Sequence, residues 1–473
     1  MRLSSILRCA VLAQLAVSSA LPSESLGKRG SKTIQKRAEG TAIVNLASTQ
    51  GSPQHLGAGF IYGFPDNKDG SANDAIPLNL RSGSGFKYCR AGGAQLPSPS
   101  LGYARGQLEG RLMSFLSNYR TCRATGARFQ LLVHDLWGAD GVQGSSFQYP
   151  GDGGDWAPFD DFMAQVIAFI KNNNMQDGLE LDLWNEPDST LFWNADYSQY
   201  LETWTRMYKR FKSELSSLPV TGPSISVPPT TGNTFWTRWM DHVKSTGTVP
   251  DIYTYHILGL EFTVSAAQDT LKSMLSSRGL PYKEVNVNEY GARSGGDQTN
   301  AGSVWYIGNL ERQNIKGLRA HWGMGETNLH NGMAGLVNFE GTNYFPAAQW
   351  WVYNYYTQSM TGNRVATTAS ADGIFEVYAT RGSDNNTVKI LTGLRPQYGI
   401  KTYDVTVTGL SAVGITGGTV RIRTLRFNHR EWYEEGPAPT DLGIAEHTVS
   451  NDQITFWVTP DNQYTAYAFE FVN

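Results

Sequence analysis

The sequence has few cysteines, few charged residues and no long apolar segment after its N-terminus. Cysteine accounts for 3 of the 473 residues, and charged residues make up 17% against 40% hydrophobic residues. Such a composition excludes an intrinsically disordered chain. No later apolar run reaches the ~18 residues that a membrane-spanning helix needs. The sequence also lacks a Gly-x-Ser-x-Gly motif and a glycine-rich phosphate turn, so it carries neither a serine-hydrolase elbow nor a nucleotide-binding turn.

The N-terminal segment is typical of a secreted protein. Two arginines precede an apolar run over residues 9–17, and small residues follow it, which predicts a signal peptide over residues 1–20. Dibasic pairs ending at Arg29 and Arg37 predict a propeptide over residues 21–37. We therefore expect a secreted, extracellular protein. Because the removed segment is basic, the processed chain is more acidic than the full chain, which has a net charge of −3. An acidic protein argues against nucleic acid or an anionic membrane as partner.

Two cysteines, Cys89 and Cys122, remain after this processing. In an oxidising compartment we expect a disulfide between them, and the alternative is a pair of buried thiols. The sequon that begins at Asn385 lies in a loop rich in Gly, Ser and Asp and predicts N-glycosylation.

Short apolar runs alternate with amphipathic helical segments over residues 55–360. The predicted strands are His55–Tyr62, Phe86–Arg90, Arg128–His134, Leu179–Trp184, Val220–Ser226, Asp251–His256, Glu284–Glu289 and Gly317–Trp322. Eight such units predict an α/β fold of the (β/α)8 (TIM) barrel type. A doubly wound sheet is the alternative, although its glycine-rich turn is missing. The first crossover, Phe64–Gly85, is expected to be mostly loop.

The pattern changes after residue 361, where helix-length segments give way to short alternating runs. Segments such as Tyr403–Thr408 and Ile454–Val458 are typical of strands separated by turns. Residues 361–473 are therefore predicted to form an accessory antiparallel β-sandwich domain. Thr41–Leu46 also alternates, and the segment 38–54 is expected to join this sandwich.

Two predicted barrel strands end in a glutamate. Strand four ends Trp184-Asn185-Glu186-Pro187, and strand seven ends Asn288-Glu289-Tyr290-Gly291. Active residues of such barrels lie at the carboxyl ends of the strands, and strands four and seven lie across the barrel mouth from each other. Two carboxyl groups about 5–5.5 Å apart perform retaining glycoside hydrolysis, and a wider pair inverts. Taken alone, each glutamate could be a solvated helix-start carboxylate.

Together the two motifs resemble clan A of the glycoside hydrolases, which are retaining enzymes on (β/α)8 barrels. The resemblance implies that Glu186 is the general acid/base, that Glu289 is the nucleophile, and that the partner is a carbohydrate substrate without any metal or cofactor. The added sandwich is most similar to family 39, with families 30, 51 and 79 as neighbours. Family 39 would place His-x-Tyr on strand six. Here His256 fits the histidine but Leu258 replaces the tyrosine, and Tyr255 is a candidate to compensate.

Polar residues at the predicted strand ends are candidate substrate contacts. Asn185 and His134 can bind sugar hydroxyls. His256 ends predicted strand six, and Tyr290 directly follows Glu289. Arg90 could hold Glu289 ionised, since a cation lowers the pKa of a carboxyl group. The alternatives are a satisfied core histidine at position 134 and an ordinary interior ion pair at Arg90.

Aromatic residues at two strand ends are candidates for stacking on a sugar ring. Trp322 lies at the end of strand eight, where clan members commonly carry a tryptophan platform, and Trp137 follows strand three. Trp137 could instead pack a loop. His321 and His330 are nine residues apart, which is not a metal-ligand spacing.

The sequence therefore predicts a secreted retaining glycoside hydrolase that acts on cell-wall poly- or oligosaccharide through a glycosyl-enzyme intermediate. A transglycosylase would use the same residues but exclude water. A non-catalytic carbohydrate-binding protein on a hydrolase barrel is the alternative from another class, although such a protein need not keep both glutamates.

Overall fold

The computed structural model describes residues 38–93, 101–141, 143, 146–321, 329–382, 387–431 and 433–472. The predicted signal peptide and propeptide, Trp322 and the sequon asparagine Asn385 lie outside the described residues. Within them, no helix combines the length and the apolar character that crossing a bilayer requires.

The first strand, β1 (Thr41–Thr49), belongs to the sandwich, and the next eight strands close a barrel. These eight are β2 (Gly59–Ile61), β3 (Tyr88–Ala91), β4 (Arg128–Leu132), β5 (Leu179–Asp182), β6 (Val220–Ile225), β7 (Ile252–Ile257), β8 (Glu284–Tyr290) and β9 (Lys316–Arg319). Each pairs in parallel with the next, and β9 pairs in parallel with β2. The predicted (β/α)8 barrel is confirmed.

The helices surround this barrel. They are α1 (Leu78–Gly83), α2 (Leu108–Arg123), α3 (Val133–Trp137), α4 (Ala157–Asn172), α5 (Tyr197–Glu214), α6 (Thr234–Thr246), α7 (Val264–Arg278), α8 (Asn300–Gln313) and α9 (Ala348–Asn354), which continues into a π-helical turn over Tyr355–Ser359. Side chains of Asp196, Asn233 and Thr263 accept hydrogen bonds from first-turn N–H groups and so fix where α5, α6 and α7 begin. The short helix α1 lies in the crossover that we expected to be mostly loop.

The second sheet contains nine strands. After the hairpin β10 (Val337–Glu340) and β11 (Asn343–Pro346) come β12 (Asn363–Thr368), β13 (Phe375–Arg381), β14 (Lys389–Leu394), β15 (Tyr403–Thr408), β16 (Thr419–Phe427), β17 (Thr440–Thr448), β18 (Gln453–Val458) and β19 (Ala466–Val472). The strand order is β17-β16-β19-β14-β13-β12-β1-β15-β18. Strand β1 pairs antiparallel with β12 and parallel with β15.

This sheet folds over so that its two ends pack face to face. Rings from strands that are not neighbours in the sheet meet in the core: Phe375 stacks on Tyr403 at 5.0 Å, and Phe456 lies 4.8 Å from Phe469. Strand β12 pairs with both β1 and β13 and therefore connects the two layers. The accessory β-sandwich domain is confirmed, with the β1–β15 pair as a parallel exception.

The sandwich is fastened to loops at the mouth of the barrel. Arg395, which follows β14, donates from Nη1 to the carbonyl oxygens of Leu260 and Phe262, at 2.8 Å each. Its Nη2 lies 3.0 Å from Oδ2 of Asp297 in the loop after β8, and both side chains of this ion pair are buried. A buried ion pair with satisfied hydrogen bonds holds its elements in one geometry.

Candidate active site

Glu186 and Glu289 lie together at the mouth of the barrel. Glu289 is the penultimate residue of β8, and Glu186 follows β5. One carboxylate oxygen of each glutamate and one ring nitrogen of His256 all lie within 4.8 Å of one another. The side chain of Glu289 is 7% exposed and that of Glu186 is 15% exposed, so a ligand at the mouth can reach both carboxyl groups.

An irregularity in β8 turns two consecutive side chains toward the same region. The register between β7 and β8 pairs Tyr255 with Val287 but His256 with Glu289, so Asn288 is an extra residue on β8. Asn288 bonds inside the barrel, and Glu289 faces Arg90 at the mouth. A bulge can re-aim a side chain in this way next to a site.

The backbone of Glu186 is held in the left-handed region, with φ of 41°. Its N–H donates to the carbonyl of Ser224 at 2.8 Å, and Pro187 follows it. A non-glycine residue in this region costs on the order of 1–3 kcal/mol, and such strain concentrates at functional sites. The surrounding structure therefore fixes the direction in which the Glu186 side chain leaves the chain.

A single buried guanidinium connects three of the site residues. Arg90 at the end of β3 donates from Nη1 to Oε1 of Glu289 at 2.7 Å, from Nε to Oδ2 of Asp182 at 2.8 Å and from Nη2 to Oδ1 of Asn185 at 2.7 Å. This fork orients both a carboxylate and an amide at once. Burial raises the pKa of Glu289, and the positive charge of Arg90 opposes that rise, as would His256 if it were protonated.

Below the mouth, a polar network holds Asp182 in place. Ser224 Oγ donates to Oδ1 of Asp182 at 2.8 Å, and Asn288 Nδ2 donates to Oδ2 at 3.0 Å. We did not single out Asp182, Ser224 or Asn288 from the sequence. The available signal was the alternation of leucine with acidic residues in a short strand, Leu179–Asp182, since a buried charge needs partners.

His256 lies between the two glutamates. Its Nδ1 is 2.8 Å from Oε1 of Glu186, and its Nε2 is 3.7 Å from Oε1 of Glu289. Burial lowers the pKa of His256 to about 4, so the ring is neutral near neutral pH. In one neutral tautomer, Nδ1 can accept a hydrogen bond from the protonated carboxyl group of Glu186. In the other tautomer, Nδ1–H can donate a hydrogen bond to the ionised carboxylate.

Glu186 has the environment of a general acid. Burial raises its pKa to about 7, with a further upward contribution from the negative charge of Asp188. Asp188 is itself fixed by Ser226, whose N–H and Oγ donate to its two carboxylate oxygens at 3.0 and 2.6 Å. Sequence reasoning missed Asp188, which lies two residues after Glu186.

Glu186, His256 and Glu289 also have donor atoms of the kind that bind a metal ion. Arg90, however, already neutralises Glu289 at 2.7 Å and is itself fully buried. A metal ion would have to share this carboxylate with a fixed cation.

Two predicted contacts after β4, His134 and Trp137, lie on a helix because the strand ends earlier than expected. It ends at Leu132, and residues 133–137 form the short helix α3. His134 is buried, with Nε2 3.0 Å from Oδ1 of Asp135, and its charge would lower the pKa of Glu186. Trp137 is buried against Tyr103, which stacks on it at 5.1 Å, and donates to the carbonyl of Gln148. It packs a loop and does not line the site.

Tyr255 and Tyr290 also point away from the site. Tyr255 Oη accepts a hydrogen bond from Gln268 of α7 at 2.8 Å. Tyr290 Oη donates to the carbonyl of Gly57 at 2.8 Å and contacts Tyr353 Oη at 2.6 Å. Because side chains alternate between the two faces of a strand, His256 faces inward and Tyr255 outward. Tyr255 therefore does not replace the tyrosine that family 39 would carry.

The expected disulfide is absent. Cys89 on β3 and Cys122 on α2 are both buried free thiols. The Cys122 thiol is directed at the carbonyl oxygens of Ala127 and Arg128, 3.6 and 3.4 Å away. Burial raises the pKa of the Cys89 thiol, as expected for a thiol inside the core.

Tyr62 is a further neighbour of the two glutamates. It follows β2 with φ of 76°, and its N–H donates to the carbonyl of Arg90 at 2.7 Å. Burial raises the pKa of Tyr62, and Glu289 and Glu186 raise it further, which places the phenol close to both carboxylates. Its position at the tip of the first barrel strand was the signal in the sequence.

Comparison with known proteins finds similar structures. No protein family model and no curated protein matches the chain in sequence. The N2152 protein from Neocallimastix frontalis is 17% identical with a TM-score of 0.71, covering 92% of this chain and 99% of that one. A GH39 enzyme from Xanthomonas axonopodis pv. citri is 13% identical, with a TM-score of 0.57 and coverage of 94% and 99%. A monomeric β-xylosidase from Caulobacter crescentus is 15% identical, with a TM-score of 0.54 and coverage of 91% and 99%. The expected resemblance is confirmed as a likeness in fold.

Proposed function

We propose that this protein is a retaining glycoside hydrolase that is secreted and acts on cell-wall poly- or oligosaccharide. One observation carries the proposal: oxygens of Glu186 and Glu289 lie within 4.8 Å of each other at the mouth of the barrel. Carboxyl groups about 5–5.5 Å apart leave no room for a water between them and the sugar, so one of them attacks the sugar directly.

The charges around each glutamate support a division of roles. Glu289 is paired with the Arg90 guanidinium, which favours its ionised form. Glu186 has no cation at hydrogen-bond distance among the described residues, and burial raises its pKa to about 7. Glu289 is therefore the nucleophile, and Glu186 is the general acid.

In the first step, a carboxylate oxygen of Glu289 bonds to the anomeric carbon as the bond to the leaving oxygen breaks. Glu186 gives its proton to that oxygen, which leaves as an alcohol. The sugar is now an ester of Glu289, whose negative charge is gone. Because the ester of Glu289 no longer balances the positive charge of Arg90, this charge favours the ionised form of Glu186.

In the second step, Glu186 takes a proton from water as the water oxygen bonds to the anomeric carbon. The ester bond breaks, and Glu289 regains its carboxylate. His256 holds Glu186 through Nδ1 in both protonation states. The Nδ2 group of Asn185 is free to donate to a sugar hydroxyl, because its Oδ1 is engaged by Arg90.

Secretion is proposed from the N-terminal pattern of basic, apolar and small residues followed by dibasic pairs. We propose a cell-wall polysaccharide as the substrate because a secreted glycosidase would meet such polymers outside the cell. The β-xylosidase among the similar structures makes aryl β-xyloside the first substrate to test.

The test is hydrolysis of a panel of aryl glycosides, with the anomeric form of the first product read by NMR. Wild-type protein should release the retained anomer, and Glu289→Gln should abolish turnover. Glu186→Ala should regain turnover on an activated dinitrophenyl glycoside when azide is added, with glycosyl azide as product. Glu202→Gln, an exposed position on α5, is the matched control.

Three results would count against the proposal. An inverted first product, or near-normal activity of Glu289→Gln, would refute the mechanism. Binding of oligosaccharide without turnover would favour a non-catalytic binding protein. Transfer to added acceptor sugars in place of hydrolysis would favour a transglycosylase.

A further inference from the structure

A cleft of about 630 Å³ opens between the barrel and the sandwich. Arg293, three residues after β8, and His321, two residues after β9, line its barrel side. Residues 396–397, 429–431 and 463–464 line its sandwich side. Both barrel residues follow the carboxyl ends of strands, so the cleft opens on the same face of the barrel as the two glutamates. Its volume is in the range of ligand pockets, about 300–1,000 Å³.

The walls of the cleft are held against each other. Gly296, in the loop after β8, has φ of 80°, and a Cβ there would come within 2.4 Å of Tyr464. The loop therefore needs glycine to approach the sandwich this closely. The buried ion pair of Arg395 with Asp297 fixes the same loop one residue further on.

The described residues that line the cleft carry two arginines against one acidic residue. Arg293 and Arg430 are exposed, and neither forms an ion pair with a described residue. Glu431 alone is acidic among the lining residues described. Arginine side chains in this situation bind carboxylate or sulfate groups through paired N–H donors.

The sandwich side adds groups that suit a sugar. The His429 side chain lines this wall. Its ring lies 4.8 Å from that of Tyr464, which lines the same wall. Side-chain amides of Gln298, Gln397 and Gln463 also line the cleft and can bind hydroxyl groups.

We propose that this cleft, on the same face of the barrel as the two glutamates, binds an anionic residue of the polysaccharide, a uronate or a sulfated sugar. The inference rests on the proposed function, and it names the substrate class that the site would prefer. Arg293 and Arg430 would contact the anionic group, and the histidine and amides would contact its hydroxyls.

The first experiment measures binding without turnover. In the Glu289→Gln background, an array of neutral, uronate-bearing and sulfated oligosaccharides is compared with the same array after Arg293→Gln/Arg430→Gln. We expect the anionic members to bind more tightly than neutral ones of equal length, and the arginine variant to lose about tenfold or more of that affinity. Lys209→Gln/Lys244→Gln, which removes two exposed cations from α5 and α6, should lose none of it.

The second experiment measures hydrolysis by the otherwise wild-type enzyme. The ratio of kcat/KM for an anionic to a neutral oligosaccharide should fall about tenfold in the arginine variant. If hydrolysis persists and this ratio is unchanged, the proposed binding of anionic sugars in the cleft is wrong, while the proposed function stands. If nothing is hydrolysed, the proposed function fails, and the binding array alone decides on the cleft. Comparing the uronate-bearing with the sulfated oligosaccharides shows which anionic group the cleft binds.

Discussion

Replacing Glu186 by glutamine should stabilise the protein at neutral and alkaline pH while removing its activity. Burial raises the pKa of Glu186 from 4.5 to about 7. That difference corresponds to about 3 kcal/mol between the two protonation states. Because the carboxyl group ionises more easily in the unfolded chain, wild-type stability is intact below pH 4.5. It then falls as pH rises to about 7 and stays low above that pH.

Glutamine does not ionise, so the variant should not follow this curve. The two proteins should have similar stability near pH 4, and Glu186→Gln should be more stable by about 3 kcal/mol near pH 8. At roughly 2 cal/mol/K of unfolding entropy per residue, a chain of this length gains about 3 °C in Tm. Thermal unfolding across this pH range measures the difference, with Glu202→Gln as the exposed control. A difference that does not change with pH would show that Glu186 titrates as an ordinary carboxyl group, and the general-acid argument would then fail.

The remaining predictions test the electrostatics of the site and the state of the buried cysteines. Replacing Arg90 by methionine leaves two buried carboxylates without their cation and should lower the free energy of unfolding by about 3–5 kcal/mol in denaturant titrations; an unchanged value would contradict the buried network. The kcat/KM of the wild type should fall as pH rises above about 7, since Glu186 must be protonated. Asp188→Asn should move this fall to lower pH, because the negative charge of Asp188 raises the pKa of Glu186, and an unmoved profile would exclude that coupling. Cys89 and Cys122 should both react with a thiol reagent once the chain is unfolded without reductant, whereas a disulfide would leave both unreactive.

The sequence was informative wherever one periodicity dominated a segment. The eight barrel strands follow from short buried runs between helices, and Glu186 and Glu289 follow from their positions at strand ends. Strand β17 (Thr440–Thr448) was missed because it lies at the end of the sheet and is exposed along almost its whole length. It therefore has no apolar face to produce an alternating pattern.

The directions of side chains at the strand ends could not be predicted from the sequence. The extra residue Asn288 in β8 changes the phase of the strand, so that Glu289 reaches the mouth and Tyr290 packs outside. Nothing in Asn288-Glu289-Tyr290 distinguishes this from a regular strand. Likewise, β4 stops at Leu132 and turns into α3, which carries Trp137 into the core. Both features depend on tertiary contacts with neighbouring strands and helices.

The roles that we propose for the two glutamates rest on the position of one guanidinium, independently of any resemblance. Arg90 contacts Glu289 at 2.7 Å and does not bond to Glu186. If the roles were reversed, the acid would face a fixed cation that favours its ionised form, and it would hold its proton poorly. The nucleophile would lie in the buried position beside Asp188, where a negative charge is disfavoured. In the observed arrangement, Glu289, which must be ionised, lies beside the Arg90 cation. Glu186, which must hold a proton, lies beside the Asp188 anion. Double displacement requires this separation.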